Sequence, residues 1–212
     1  MASRSKDTER IEASFDILKS LELFKTGTYV DIGANVGHTS VNFSKYFDKF
    51  ICFEPNPEAF KILEFEFGLL LKEIPDIMFS LYNLAISNTN CETTLYVPNS
   101  RSGWGSIDNR RYEPMLKNNK VQVEQINIEA RTLDSFNFTD IAFIKIDTEQ
   151  HEDKVCEGMV NTLIKNSYPN VFLENKRNES SKGIELLKTL GYSQVPVNLY
   201  KNDKHNTLLA KQ

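Results

Sequence analysis

The stretch VDIGANVGHTS, Val30 to Ser40, decides the fold. Thr28 to Ile32 reads as a compact strand running into Gly33. From Thr39 to Phe47 the chain turns helix-like, with Val41, Phe43, Tyr46 and Phe47 as its apolar positions. Glycines at such a strand–turn–helix junction let the backbone approach a ligand closely, and the helix offers its first N–H groups. The dinucleotide fingerprint G-x-G-x-x-G has its middle glycine replaced here by Asn35, and its third is absent or displaced. A side chain at Asn35 hinders a pyrophosphate, whereas a ligand without phosphates tolerates it.

The next strand, KFICFEP from Lys49, is stopped by Pro55 and Pro57, and Pro57 suits the first turn of a helix to about Lys72. Glu54 ends that strand, 21 residues beyond Gly33. An acid there accepts hydrogen bonds from both hydroxyls of a ribose and repels a 2′-phosphate. Glycine turn and spaced acid together describe an adenosine site without a pyrophosphate clamp, which points to S-adenosylmethionine. The plain alternative is a tight turn with a surface acid; the rival cofactor, a dinucleotide, is opposed by Asn35.

Outward from this unit, strands and helices keep alternating. Thr8 to Phe24 has helical spacing and is expected to cover the core. Strand signals follow at Ile77–Ile86, at TTLYVP from Thr93, at Val121–Ala130, at IAFIKID from Ile141 and at NVFLE from Asn170. Helices are expected from about Glu152 to Lys165 and from Ser180 to Leu190, and further strands at Tyr192–Val197 and Asn206–Ala210. The pattern is α/β, a mostly parallel seven-stranded sheet with helices on both faces and extra β elements in the middle third. The 212 residues fit one domain (1–212, with 1–26 as its helical cover), standing alone or within a longer protein. A net charge of −4 disfavours non-specific nucleic-acid binding. No apolar run reaches the ~20 residues needed to cross a bilayer. Cys52, Cys91 and Cys156 lack metal-like spacing, and Cys52 and Cys156 fall in apolar patterns, so reduced thiols and a cytoplasmic location are expected.

Five ionisable residues crowd the end of one strand in IKIDTEQHE: Lys145, Asp147, Glu149, His151 and Glu152. In an open α/β sheet, ligands sit beyond the carboxyl ends of the strands, so Asp147 faces the crevice that Gly33 and Glu54 border. Such a cluster can fix an acceptor by its hydroxyls and remove a proton, with His151 as the expected base, Glu149 close behind, and Lys145 countering the acids. Glu152 and Asp153 also suit the first turn of a helix. Asp147, Glu149 and Glu174 are ligands of the type Mg²⁺ takes, but their spacing does not demand an ion, and no required metal is expected. The loop SGWGS adds Trp104 and Ser106 as possible sugar contacts, with core packing the equal alternative for Trp104. Arg101, Arg110 and Arg111 read as solvated surface.

VDIGANVGHTS, FEPNPEAF, ARTLDSF, IKIDTEQHE and NTLLA, in that order from about Thr28 to Ala210, together resemble the FkbM-type S-adenosylmethionine-dependent methyltransferases. The resemblance implies a class I methyltransferase fold and methylation of hydroxyls, often on sugars. It implies that Asp31, Gly33, Ala34, Asn35 and Gly37 hold the methionine part of the cofactor. By the same resemblance Glu54 holds the ribose, Pro55 and Asn56 shape that turn, and Asn83, Leu84 and Ala85 border the adenine. Asp147 lies by the methyl group, and Glu149, His151 and Glu152 match the family's acids and its H-E pair. His38 opens the first helix beside the methionine loop and is expected to pack around the cofactor. Gln150 departs from the family, where glycine is usual and allows a tight turn, and it bears on the aim of Glu149 and His151. The expected acceptor is a hydroxyl of a sugar, such as a terminal deoxyhexose like rhamnose, on a glycan or glycosylated product, with no nucleic-acid or membrane partner. Two alternatives stay open: methylation of a nucleic-acid or protein nitrogen, and a silent domain that only binds the cofactor.

Overall fold

The structure is a computed structural model that describes residues 6–98, 105–108, 112, 122–174, 181–195 and 206–211. In chain order its elements are α1 (Lys6–Ser20), β1 (Thr28–Ile32), α2 (His38–Asn42), β2 (Lys49–Phe53), α3 (Pro57–Glu73), β3 (Met78–Tyr82), β4 (Ala85–Ile86), β5 (Cys91–Pro98) and β6 (Val123–Arg131). A 3₁₀ turn (Leu133–Phe136) precedes β7 (Ile141–Ile146), α4 (Glu152–Glu157), α5 (Val160–Lys165), β8 (Asn170–Glu174), α6 (Lys182–Thr189), β9 (Ser193–Gln194) and β10 (Asn206–Ala210).

Strand β1 is buried at all five positions because it is covered on both faces and paired on both edges. It lies parallel to β2 and to β7, with Val30 opposite Ile51 on one side and Ile144 on the other. The seven-stranded sheet has the order β3-β2-β1-β7-β8-β10-β9, with β10 antiparallel to both its neighbours. The order reverses between β1 and β7: the chain winds outward through β2 and β3, then returns to continue on the other side through β7 and β8. That reversal opens a crevice above the strand ends.

Alternation along the strands sends side chains to two cores. Val30, Ile32, Ile144, Ile146, Val171 and Leu173 meet Val155, Met159, Leu163, Ile184 and Leu187 from α4 to α6 and the segment between them. On the opposite face, Tyr29, Phe50, Cys52, Phe143 and Phe172 meet α1 to α3 and the segment after α2 through Ile11, Phe15, Leu18, Phe43, Phe47, Leu63 and Phe67. Phe15 of α1 packs edge-on against Phe43, Tyr46, Phe47 and Phe143, with ring centroids 4.9–5.5 Å apart. The N-terminal helix is therefore part of the core. A separate three-stranded sheet, β4-β6-β5, buries Ala85, Leu95, Val97, Ile128 and Ala130 beside the crevice. Cys52 and Cys156 are buried thiols and Cys91 is exposed. Among the described residues no helix is long and apolar enough to cross a membrane.

Three expected elements differ. Ile77–Ile86 is two strands in two sheets: the chain leaves β3 at Asn83, whose amide donates to the Glu54 and Pro55 carbonyls at 2.8 and 3.2 Å, and β4 then joins β6. The helix expected over Glu152–Lys165 is broken at Gly158–Met159. There Asp134 accepts from the N–H groups of Asn161 and Thr162 at 3.1 and 2.7 Å and gives α5 a start of its own. The helix expected over Thr39–Phe47 is regular only from His38 to Asn42.

Candidate active site

The crevice is an open cleft lined by Gly33, Asn35, Glu54, Asp147, Glu149 and His151. Its floor is made where β1 and β7 end. The Asp147 N–H donates to the Ile32 carbonyl at 3.0 Å, and a Cβ on Gly33 would sit 1.9 Å from the Asp147 carbonyl oxygen. Only glycine allows this approach, and Gly33 also has φ +82°.

Glu54 closes one wall. Its side chain is buried, and its two oxygens accept from the N–H groups of Asn35 (2.7 Å) and Asn56 (2.8 Å). These bonds tie the end of β2 to the glycine loop, and each oxygen keeps a second lone pair for a ligand hydroxyl. Burial pushes the Glu54 carboxyl up to about 7, against the opposing pull of those two backbone bonds. Above Glu54 the wall is apolar, from Phe53, Leu84, Ala85, Ile86 and Leu95. An acid set among hydrogen-bond donors beside an apolar wall fits an adenosine ligand.

Beneath the floor lies a buried ion pair. Asp31 is fully buried; it accepts from Lys145 Nζ at 2.9 Å and from the Ser40 hydroxyl at 2.6 Å. Lys145 also donates to the Gly33 carbonyl at 3.3 Å and lies 3.9 Å from an Asp147 oxygen. Burial works against the ammonium, but Asp31 first, then Asp147 and Glu174, hold it above the ordinary lysine value, so it stays charged. Lys145 thus anchors strand ends rather than exchanging protons.

The opposite wall carries the acids. Carboxylate oxygens of Asp147, Glu149 and Glu174 lie within 4.8 Å of one another, and Asp147 and Glu149 line the cleft. Glu149 and Gln150 both have positive φ, 54° and 82°. The turn is held from below by Glu152, which accepts from the N–H groups of Thr148 (3.0 Å) and Gln150 (3.1 Å). Burial raises the Glu152 carboxyl while these backbone bonds lower it. From above, the buried Ser106 hydroxyl donates to the Glu149 carbonyl at 2.8 Å. His151 lines the cleft with Nε2 2.9 Å from the Ser87 hydroxyl.

Of the residues expected from sequence, Gly33, Asn35, Glu54, Pro55, Ala85, Ser106, Asp147, Glu149 and His151 come together in the cleft wall. Glu174 joins them through the carboxylate cluster. Asn56 caps α3, accepting from the Glu58 N–H at 3.0 Å, and Asn83 braces the turn after Glu54. Asp31 and Lys145 sit below the floor, Ala34 and Gly37 pack behind the loop, and His38 is exposed outside the cleft. Trp104, Arg101, Arg110 and Arg111 lie outside the described residues. Ser87 and Thr148 were missed. Ser87 stands 64 residues from His151, and nothing local in sequence joins them.

The sequence pattern of the methyltransferase FkbM domain matches residues 31–194, most of the chain. The chain belongs to the FkbM methyltransferase family. S-adenosylmethionine is the cofactor of this family, in agreement with the Gly33–Glu54 reading. A crystal structure of the FkbM methyltransferase from Methylobacillus flagellatus KT superposes with a TM-score of 0.62 at 12% identity, covering 87% of this chain and 43% of that one. The present chain therefore spans less than half the length of that relative. A precorrin-6y C5,15-methyltransferase from Geobacter metallireducens GS-15 superposes with a TM-score of 0.50 at 12% identity, covering 93% of this chain and 86% of that one. At such identities the likeness is one of fold, and that fold is the class I methyltransferase fold. No curated protein sequence matches the chain.

Proposed function

We propose that this FkbM-family methyltransferase acts on a hydroxyl of a sugar carried on a glycan or glycosylated product. The observation that carries the reading is the convergence of the Asp147, Glu149 and Glu174 carboxylates within 4.8 Å at the strand ends, with Asp147 and Glu149 lining the same cleft as Glu54. When bound, S-adenosylmethionine supplies an electrophilic methyl group. The chain has three further tasks: to hold donor and acceptor in line, to exclude water and to remove the hydroxyl proton.

Glu54 accepts from the ribose hydroxyls, and the wall of Leu84, Ala85 and Ile86 takes the adenine. Asp147 and Glu149 accept from acceptor hydroxyls and orient the reacting oxygen; positioning at about 3–3.5 Å lowers much of such a barrier. His151, whose Nε2 lies 2.9 Å from the Ser87 hydroxyl, takes the proton, and the neighbouring carboxylates stabilise the imidazolium. A positioned base of this kind contributes about 10²–10⁴-fold. Three carboxylates together repel phosphorylated or carboxylated acceptors, which favours a neutral sugar.

The same convergence favours a second reading, in which the three acids hold a divalent cation that binds the sugar hydroxyls. Both are tested with Asp147→Asn, Glu149→Gln and His151→Ala. Cofactor affinity by calorimetry should stay within a few-fold of wild type while transfer falls, by about 10²-fold or more for the base. Wild-type transfer by all three variants would remove the cluster from the reaction. Loss of activity in chelator with recovery in Mg²⁺ would make the acids ligands.

A further inference from the structure

Helix α3 buries Ala59, Leu63, Phe67 and Leu70 against the sheet, yet it carries a second apolar stripe. Ile62, Phe65 and Leu69 are 47, 63 and 39% exposed. With Glu58 before them and Lys72 after them, also exposed, they form the series 58-62-65-69-72. Steps of four and three in alternation are the seam of a helix that pairs with another helix. A surface helix that only covers a core has one apolar face, so the second needs a partner.

The charges along the seam specify that partner. An acid stands at its N-terminal end and a base at its C-terminal end, so an antiparallel copy of the same helix presents opposite charges at both ends. We infer that α3 pairs antiparallel with α3 of a second copy of this chain, about a two-fold axis at Phe65. Ile62 then meets Leu69 of the second copy, the Phe65 rings meet at the axis, and Glu58 faces Lys72 of the second copy, twice. Within one chain Glu58 pairs with Lys61 at 2.7 Å, but both are more than two-thirds exposed, and such a pair exchanges readily.

Gly68 supports the same arrangement. A glycine inside a helix weakens it relative to alanine, and a Cβ at Gly68 would meet nothing within 4 Å. Packing inside the chain therefore gives no reason for it. Beside the axis it leaves a hollow into which the Phe65 ring of the second copy fits. Glu66 flanks the axis and faces its own counterpart, which opposes the pairing and keeps it reversible.

The test is sedimentation velocity on the whole chain over a concentration series. One helix seam is smaller than the standard interface of ~1,600 Å², so dimer should accumulate between about 1 and 100 μM. Phe65→Asp should abolish association while far-ultraviolet dichroism and the melting temperature stay those of wild type. Glu58→Lys and Lys72→Glu should each weaken it several-fold, the double variant Glu58→Lys/Lys72→Glu should restore it, and Glu66→Gln should tighten it. A monomer throughout the series overturns the inference, including the case in which another polypeptide is later found on this stripe. So does a double variant as weak as the singles, or a dimer indifferent to Phe65→Asp.

Discussion

Protonation of Glu54 should govern cofactor binding near neutral pH. Its carboxyl is pushed from an ordinary 4.5 to about 7, by burial first, with the Asn56 and Asn35 N–H groups opposing. In the proposed site ribose hydroxyls bind the carboxylate form, so the competent fraction is about nine-tenths at pH 8 and about one-tenth at pH 6, and apparent affinity should drop roughly tenfold between them. At pH 7, binding should release about half a proton, read by calorimetry in buffers of different ionisation enthalpy. Glu54→Gln should bind more weakly at pH 8 and lose this component of the pH dependence. The same group acts on stability with a definite sign. Its folded pKa is raised, so the ligand-free folded state holds the proton more tightly than the unfolded chain. Stability falls as pH rises from 4.5 to 7, by about 3 kcal/mol at ~1.4 kcal/mol per pH unit. Glu54→Gln should remove that slope in urea unfolding. Wild-type affinity that is flat from pH 6 to 8, or that matches Glu54→Gln throughout, would refute the role of Glu54.

Two further outcomes follow from geometry. Gln150 has φ 82°, a conformation that costs a side chain about 1–2 kcal/mol, so Gln150→Gly should raise stability by about 1 kcal/mol in denaturant unfolding; a loss of stability would contradict this. Asp31→Asn leaves the Lys145 ammonium buried without its main countercharge and should cost about 3–5 kcal/mol by the same measurement, whereas a loss below 1 kcal/mol would mean that Lys145 finds another partner.

Much of the fold was legible where one residue type has one physical use. Gly33 reads as a close-approach glycine, and it lies against the Asp147 carbonyl; Glu54 reads as a strand-end acid over the crevice, and it lines the cleft. The oddity of Gln150 was visible too, as a side chain in a turn that prefers glycine, and its φ is positive. The rest depends on contacts between distant segments. Asp31 is expected from sequence to hold the methionine part of the cofactor, but Lys145, 114 residues away, pairs with it below the floor. Ser106 offers a hydroxyl in a glycine-rich loop, but the Glu149 carbonyl takes it. The strand change at Asn83 has neither glycine nor proline to mark it; a side-chain amide makes the turn instead. The break at Gly158 is set by Asp134, from before β7.

The most direct test of the central claim is where the methyl group goes. The chain is incubated with S-adenosylmethionine deuterated in its methyl group and with matched panels of neutral sugars and glycans, phosphorylated sugars, RNA, DNA and peptides, and products are mapped by mass spectrometry. The account predicts label on an oxygen of a neutral sugar, absent from the phosphorylated counterpart and lost with Asp147→Asn although the cofactor still binds. Label on a nucleic-acid or peptide nitrogen, or cofactor binding with no labelled product on any acceptor, would contradict it.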